Sequence, residues 1–145
     1  MIVITDSNIF ISALITPRGV VASVLAEKGR IQFLVLDYVI EEVENHAQKI
    51  ADISDKSNQQ IITNFRKLIA GIGIIDKDEI PKKDLIEAKK IVQDIDINDA
   101  YFVALHLYKR HKIWTGDNAL ANALKKKGYN FCITTAELKK KLYKK

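Results

Sequence analysis

Four acidic residues, far apart along the chain, each stand where a short apolar run gives way to a turn or a helix. Asp6 follows Ile2-Val3-Ile4-Thr5, and Glu42 comes after Leu34-Val35-Leu36. Asp99 sits in Asp96-Ile97-Asn98-Asp99-Ala100, and Asp117 closes Ile113-Trp114-Thr115-Gly116-Asp117. If those runs are parallel strands of one sheet, the carboxylates meet at its carboxyl edge, where open α/β sheets place their sites. Anions crowded together without compensation repel, so such a cluster binds divalent metal or holds protons.

Taken singly, each acid has a plainer explanation. Asp6, Ser7 and Asn8 are all residues that cap helices. Asp99 and Asp117 could likewise cap the helices that start at Ala100 and Asn118. Glu42, one turn into its helix, either reaches a pocket at the helix entrance or is a solvated residue favoured by the helix dipole. Its neighbour Glu41 points about 100° away. Asp96 and Asp99, three apart, take neighbouring positions on a helical turn. The joint pattern is more telling than any member, because the fifth strand exits through Thr134-Thr135 and carries no acid.

The elements that must position these residues alternate. Strands are expected at Ile2 to Thr5, Ile31 to Leu36, Ile72 to Ile75, Lys112 to Thr115 and Asn130 to Ile133, from their β-branched and apolar runs. Helices are expected at Asn8 to Leu14 and Val20 to Lys28, with Thr16-Pro17-Arg18-Gly19 as a turn between them. Gly29 suits the position just past the second helix. Asp37 reads as an N-cap, with Val39, Ile40, Val43 and Ala47 as the apolar stripe of the helix that follows. Ser54 to Ala70 is a further helix, ended by Gly71. Pro81 suits a helix first turn, continued by Leu85 to Val92. Asn98 to Lys109, Asn118 to Lys127 (stopped by Gly128) and Thr135 to Leu142 complete the set. Strands alternating with helices predict an α/β fold, a three-layer α/β/α sandwich around a mostly parallel five-stranded sheet, with right-handed connections. No repeat, linker or low-complexity stretch divides residues 1–145, so one domain is expected.

The totals agree. A chain of 145 residues, 48% hydrophobic and 28% charged, is long enough for a core and too apolar for disorder. Asp6 interrupts the first apolar run and no basic flank precedes it, so neither a signal peptide nor a membrane span is expected. A lone cysteine, Cys132, forms no internal disulfide, which points to the reducing cytoplasm, and its setting in Phe131-Cys132-Ile133 reads as core packing. Net charge is +5 and the pI about 9.2, a weak pull toward polyanions. The excess falls late, at Lys125-Lys126-Lys127, Lys139-Lys140-Lys141 and Lys144-Lys145, as solvated helix faces or as phosphate contacts.

Several stretches together carry a family resemblance. They are Asp6-Ser7-Asn8-Ile9-Phe10-Ile11-Ser12, Tyr38-Val39-Ile40-Glu41-Glu42-Val43, Asp96-Ile97-Asn98-Asp99-Ala100-Tyr101-Phe102-Val103-Ala104-Leu105 and Trp114-Thr115-Gly116-Asp117-Asn118. Through them the chain resembles PIN-domain proteins over essentially its full length, the last two stretches being the most specific. The resemblance implies that Asp6, Glu42, Asp99 and Asp117 form an acidic metal site, supported by Asn8, Asp96 and Thr115. Glu42 is the better match for the family's glutamate because an aliphatic residue follows it, with Glu41 as the alternative. Residues 44 to 95 match little beyond a helical pattern.

The family consists of metal-dependent ribonucleases, many of them toxins of toxin–antitoxin pairs (VapC-type), others acting in ribosomal RNA maturation or RNA decay. It therefore implies RNA as substrate, one or two Mg²⁺ or Mn²⁺ ions that polarise the scissile phosphate and activate water, and 5′-phosphate and 3′-hydroxyl products. An antitoxin protein and a homodimer are the partners it suggests, with no membrane. Two other readings stand beside it. A haloacid-dehalogenase-like phosphatase also uses an Asp after its first strand, but needs an acidic group two residues on, where this chain has Asn8. A catalytically spent RNA-binding module is the third, against which the intact acidic set argues. His46, His106 and His111 lack the cysteines of a zinc site, although His106 could approach the pocket rim. Trp114 reads as core. Arg18, Arg66 and Arg110 are available to touch phosphates, without a ranking among them.

Overall fold

The structure, a computed structural model, describes residues 1–143, so the Lys144-Lys145 pair lies outside the described residues. Five strands, β1 (Ile2–Thr5), β2 (Gln32–Leu36), β3 (Gly73–Ile75), β4 (Lys112–Trp114) and β5 (Cys132–Ile133), pair in the order β3-β2-β1-β4-β5. Every pairing is parallel: Val3 stands opposite Phe33 on one side and Lys112 on the other, Leu34 opposite Gly73, and Ile113 opposite Cys132. The central strands read as unbroken apolar runs because both faces of the sheet are covered.

Among the described residues nine helices connect and cover these strands: α1 (Ser7–Ile15), α2 (Val20–Leu25), α3 (Asp37–Asn45), α4 (Ala47–Ser54), α5 (Asn58–Ile69), α6 (Lys82–Val92), α7 (Ala100–Lys109), α8 (Asn118–Lys126) and α9 (Thr135–Leu142). From β1 the chain moves outward to β2 and β3, then crosses back past β1 to β4 and β5. Right-handed crossovers in opposite directions put the two sets of helices on opposite faces. Accordingly α1 packs on α3, α4 and α5, whereas α6 packs on α7. The result is the expected α/β/α sandwich. The order of strands reverses between β1 and β4, and that crevice is where this architecture receives ligands.

Packing fixes the crevice rigidly. Trp114 at the end of β4 is fully buried. Its ring lies 5.7 Å from that of Phe33, and its Nε1 donates to Thr135 Oγ1 at 3.0 Å. The core reading of Trp114 holds. Cys132 packs against the core but is only half-buried, being on the short edge strand β5.

Local chemistry moved several boundaries. α2 stops at Leu25 rather than Lys28, because the chain turns through Glu27, whose carbonyl accepts from both Arg30 N and Ile31 N. Gly29 is therefore not a left-handed helix end. That role falls to Gly71 and Gly128, with φ of 82° and 88°, as expected of helix stops. The helix expected from Ser54 divides. Asp55 adopts a left-handed conformation at the end of α4, and Ser57 with Gln60 forms a capping box that starts α5 at Asn58. The Ser-x-x-Gln signature was present in the sequence. Likewise α3 breaks at His46, whose Nδ1 lies 2.8 Å from the Glu42 carbonyl, so Ala47 belongs to α4. Asp37 is the first residue of α3 rather than its cap, and Pro81 stands before α6 rather than within its first turn. A 3₁₀ turn at Ile97–Asp99 precedes α7, which begins at Ala100.

Candidate active site

The site starts where β1 ends. Asp6 leaves the strand with extended backbone and caps α1, and only 6% of it is exposed. One carboxylate oxygen, Oδ1, accepts from Ser7 N at 2.7 Å and Ser7 Oγ at 3.3 Å. The other, Oδ2, accepts from Thr115 Oγ1 at 2.7 Å and Asn8 Nδ2 at 3.2 Å. Capping and a place in the hollow were alternatives in the sequence, yet this one side chain caps α1 and lines the hollow as well. Thr115, itself buried, also accepts from Asn8 Nδ2 at 3.2 Å and from Asp117 N at 3.0 Å. Asn8 Oδ1 takes the Gly116 amide at 3.0 Å. The β1 and β4 exits are thus laced together by charge-assisted and neutral hydrogen bonds that leave Asp6 no freedom to turn.

Glu42 joins from α3. Ser7 Oγ, with one proton to give, lies 3.2 Å from Glu42 Oε1 and 3.3 Å from Asp6 Oδ1, so the two carboxylates share a single hydroxyl donor. Glu42 is half-buried and lines the cavity, while Glu41 is exposed and does not. Asp99 arrives at the end of the 3₁₀ turn, half-buried, and makes no side-chain cap bond to α7 among the described residues. Asp96 starts that turn by accepting from Asn98 N at 2.9 Å. Asp117 caps α8 by accepting from Leu120 N at 3.1 Å.

These residues share one hollow of about 760 Å³, lined by Asp6, Asn8, Glu42, Asp96, Asp99 and Asp117. Thr115 stands behind Asp6 rather than in the wall. The structure therefore gathers all four acidic stations, with Asn8 and Asp96 beside them. His106 is not among them. It is buried, its Nδ1 lies 2.8 Å from the His111 carbonyl, and its ring is 4.1 Å from that of Phe131, so it packs the fold. Arg18, Arg66 and Arg110 do not line the hollow either.

Sequence reasoning missed several lining residues. Ser7 was read only as a possible cap. Tyr38 and Tyr101 lay inside a motif without a role, and Lys77 and Lys89 lay in the stretch that resembled nothing. The signal for Tyr38 was its place at a strand exit four residues before Glu42.

The electrostatics follow from burial and crowding. Asp99 is pushed up to about 7, first by burial and then by repulsion from Asp96, Asp6 and Asp117. Asp6 is also raised, chiefly by burial, against the opposing hydrogen bonds from Thr115 and Ser7. Tyr38 is driven upward by burial and by Glu42, Asp6 and Asp99, so it stays a neutral phenol. Even the Cys132 thiol on β5 is pushed up to about 11 by burial and the same aspartates. Carboxylates collected without a counter-charge keep protons or attract a cation.

Among the described residues no group of three or more His, Cys, Asp or Glu side chains forms a ready-made metal cage. The acidic donors are nonetheless all hard oxygens in an open hollow. Mg²⁺ keeps several waters and takes only one or two carboxylates from the protein, so a splayed acidic set suits it, whereas zinc favours a closed set of nitrogen and sulfur ligands.

An acidic hollow at the switch point of a parallel α/β sandwich defines a class, and the sequence agrees with it. Residues 4–139 match the family model described as the PIN domain, and the chain belongs to that family of nucleases. The fold is similar to a chain of VapBC2 from Rickettsia felis, solved in a crystal bound to a DNA fragment from its promoter. The TM-score is 0.65 and the identity 16%, over 92% of this chain and 97% of that one. No curated protein matches the sequence.

Proposed function

We propose that this chain is a metal-dependent endoribonuclease that hydrolyses RNA phosphodiester bonds, acting as one domain in the cytoplasm. The observation that carries the reading is the meeting of Asp6, Glu42, Asp99 and Asp117, from four separate segments, in one hollow at the strand exits. In it, Asp6, Glu42, Asp99 and Asp117 would hold one or two Mg²⁺ or Mn²⁺ ions. When bound, such ions polarise a phosphoryl oxygen and lower the pKa of a coordinated water.

The chain's own residues do the rest. Thr115 and Asn8 fix the Asp6 carboxylate by donating to Oδ2. Ser7 holds Glu42 in register with Asp6. Asp99, pushed up to about 7 by burial and by repulsion from Asp96, Asp6 and Asp117, would give up its proton to a bound cation, and Asp96 adds negative charge beside it. The Trp114 and Phe33 packing beneath prevents the strand exits from relaxing apart.

Asn8 is committed to Asp6, Thr115 and Gly116, which leaves no acid to serve a phosphatase of the haloacid-dehalogenase kind. The VapBC2 likeness supports the narrower reading that the chain is the toxin of a toxin–antitoxin pair, whose antitoxin would cover the acidic hollow, with a homodimer as the toxin's own assembly. No helix among the described residues is long and apolar enough to cross a membrane.

The test is cleavage of a pooled RNA library with Mg²⁺ or Mn²⁺, comparing the natural chain with Asp99→Asn and mapping the ends. Cleavage that leaves 5′-phosphates, stops on chelation and vanishes in Asp99→Asn is the expected result. Cleavage indifferent to chelation overturns the metal reading, and hydrolysis of p-nitrophenyl phosphate without RNA cleavage overturns the nuclease reading.

A further inference from the structure

The acidic hollow also contains two lysines, Lys77 and Lys89. Lys77 opens the 3₁₀ turn Lys77–Glu79 just beyond β3, and Lys89 lies on α6. Because the strands pair in the order β3-β2-β1-β4, the strand exits form a row. It runs from Lys77 past Tyr38 and Glu42 to Asp6 and then Asp117. The cation stands at one flank of that row and the aspartates fill its centre.

Three observations give the lysines a role. First, neither joins an ion pair among the described residues, where the one such pair is Lys127 with Asp94. An ammonium in the same hollow as several carboxylates gains by pairing, so its nitrogen is held away from them. Lys77 Nζ instead sits 5.7 Å from the centroid of the Tyr101 ring, an aromatic rest of modest strength. Second, the backbone at Lys77 is pinned. Its amide donates to Asp37 Oδ1 at 3.3 Å, and the same oxygen accepts from Tyr38 N at 2.8 Å. The turn that carries the cation is therefore tied to the start of α3, the helix that carries Glu42. Third, charge favours a cation there. Two divalent ions would offset four of the five carboxylates that line the hollow, and phosphates on either side of a scissile bond would gain from an ammonium beside the remaining acid. Among the described residues, the lysines of the late runs do not line this hollow, and Lys127 is engaged with Asp94 and the Ile91 carbonyl.

We propose that Lys77 and Lys89 form the phosphate-gripping flank of the cleft, which holds the single-stranded RNA backbone beside the scissile phosphodiester and so sets the path of the strand. This rests on the nuclease reading. The segment of residues 76–92 then supplies substrate contacts, although its sequence by itself showed little beyond a helical pattern.

Binding of a labelled single-stranded RNA of mixed sequence tests it. Affinity is measured by anisotropy across a salt series, with Mg²⁺ present, in an Asp99→Asn background that does not cut. Lys77→Ala and Lys89→Ala should each weaken binding about tenfold. Each should also flatten the dependence of log affinity on log salt by about 0.7. Lys77→Arg and Lys89→Arg should restore both. The control pair Lys82→Ala and Lys83→Ala removes the same charge from exposed positions of the same helix outside the hollow, and should change little. In the cutting chain, KM should rise while kcat holds. If the double variant and the control pair show equal affinities and equal salt slopes, the proposal is overturned, whether or not the chain cuts RNA. If the slopes shift as stated but no variant or natural chain shows divalent-dependent cleavage, the nuclease reading falls and the phosphate flank stands.

Discussion

Asp99→Asn should stabilise the folded chain while removing its activity, and the gain should grow with pH. Asp99 makes no side-chain cap bond to α7 among the described residues, so the amide loses no partner, and the change removes charge alone. The carboxyl titrates near 7 in the folded chain against an ordinary value of 3.8. A carboxyl raised on folding favours the folded state while protonated. Its contribution is fully present below the unfolded value and is lost as pH rises through the folded one. Three units at about 1.36 kcal/mol each give an upper bound of about 4 kcal/mol. Asp99 is only half-buried and solvent screens it, which reduces the effect to about 2 kcal/mol. Loss of a favourable charge at the α7 amino terminus offsets about 0.5 kcal/mol of that. The expected outcome is no difference near pH 4 and an advantage of about 1.5 kcal/mol for Asp99→Asn at pH 8. Urea unfolding of both chains in chelator, at intervals from pH 4 to pH 8, measures it. Two parallel stability curves across that range, or a gap that closes as pH rises, would refute the crowding of carboxylates on which the site rests. Adding Mg²⁺ at pH 8 should reverse the order, because an ion that binds only the folded natural chain stabilises it by mass action.

Two further substitutions probe the support beneath the site. Thr115→Val should cost about 2 kcal/mol in urea unfolding, because it removes a short donor to the Asp6 carboxylate and leaves the Asp117 amide without its acceptor. RNA cleavage should fall with it, and a stability unchanged from the natural chain would show that the lattice does not hold Asp6. Tyr38→Phe should act in the opposite direction. The Tyr38 hydroxyl is buried with no hydrogen-bond partner among the described residues, so removing it should raise stability by about 1 kcal/mol, and a loss of similar size would reveal a partner for that hydroxyl.

How much of this was legible in the sequence differs from element to element. Gly71 and Gly128 punctuated α5 and α8 where expected, because a left-handed residue after a helix is a local requirement that glycine meets. The division at Asp55 and Ser57 was equally local, and the capping box announced it, but the apolar spacing of Ile61, Ile62, Phe65, Leu68 and Ile69 drew the helix too far back. Strand ends were less legible. Ile72, Thr115 and Asn130 fall outside β3, β4 and β5 because pairing with a neighbour, not β propensity, decides where a strand stops. Of the residues that line the hollow, Asp6, Glu42, Asp99 and Asp117 could be named beforehand from the motifs that hold them: Asp6 and Asp117 follow strands, Asp99 precedes α7 and Glu42 lies one turn into α3. Ser7, between Asp6 and Asn8, read only as a cap, and nothing beside Lys77 or Lys89 in sequence marks them.

The sequence by itself determined the alternation of strand and helix, the parallel sheet that alternation imposes, and the acids at the exits of β1 and β4. Those follow from periodicity and short-range backbone chemistry. Only the tertiary structure decided that Glu42 rather than Glu41 enters the hollow and that one serine hydroxyl joins two carboxylates. It also set the rise of Asp99 toward neutrality and brought two lysines from an unmarked segment to face the acids. Each of these depends on through-space distance and on the exclusion of water, which arise only when segments remote in the chain pack against one another.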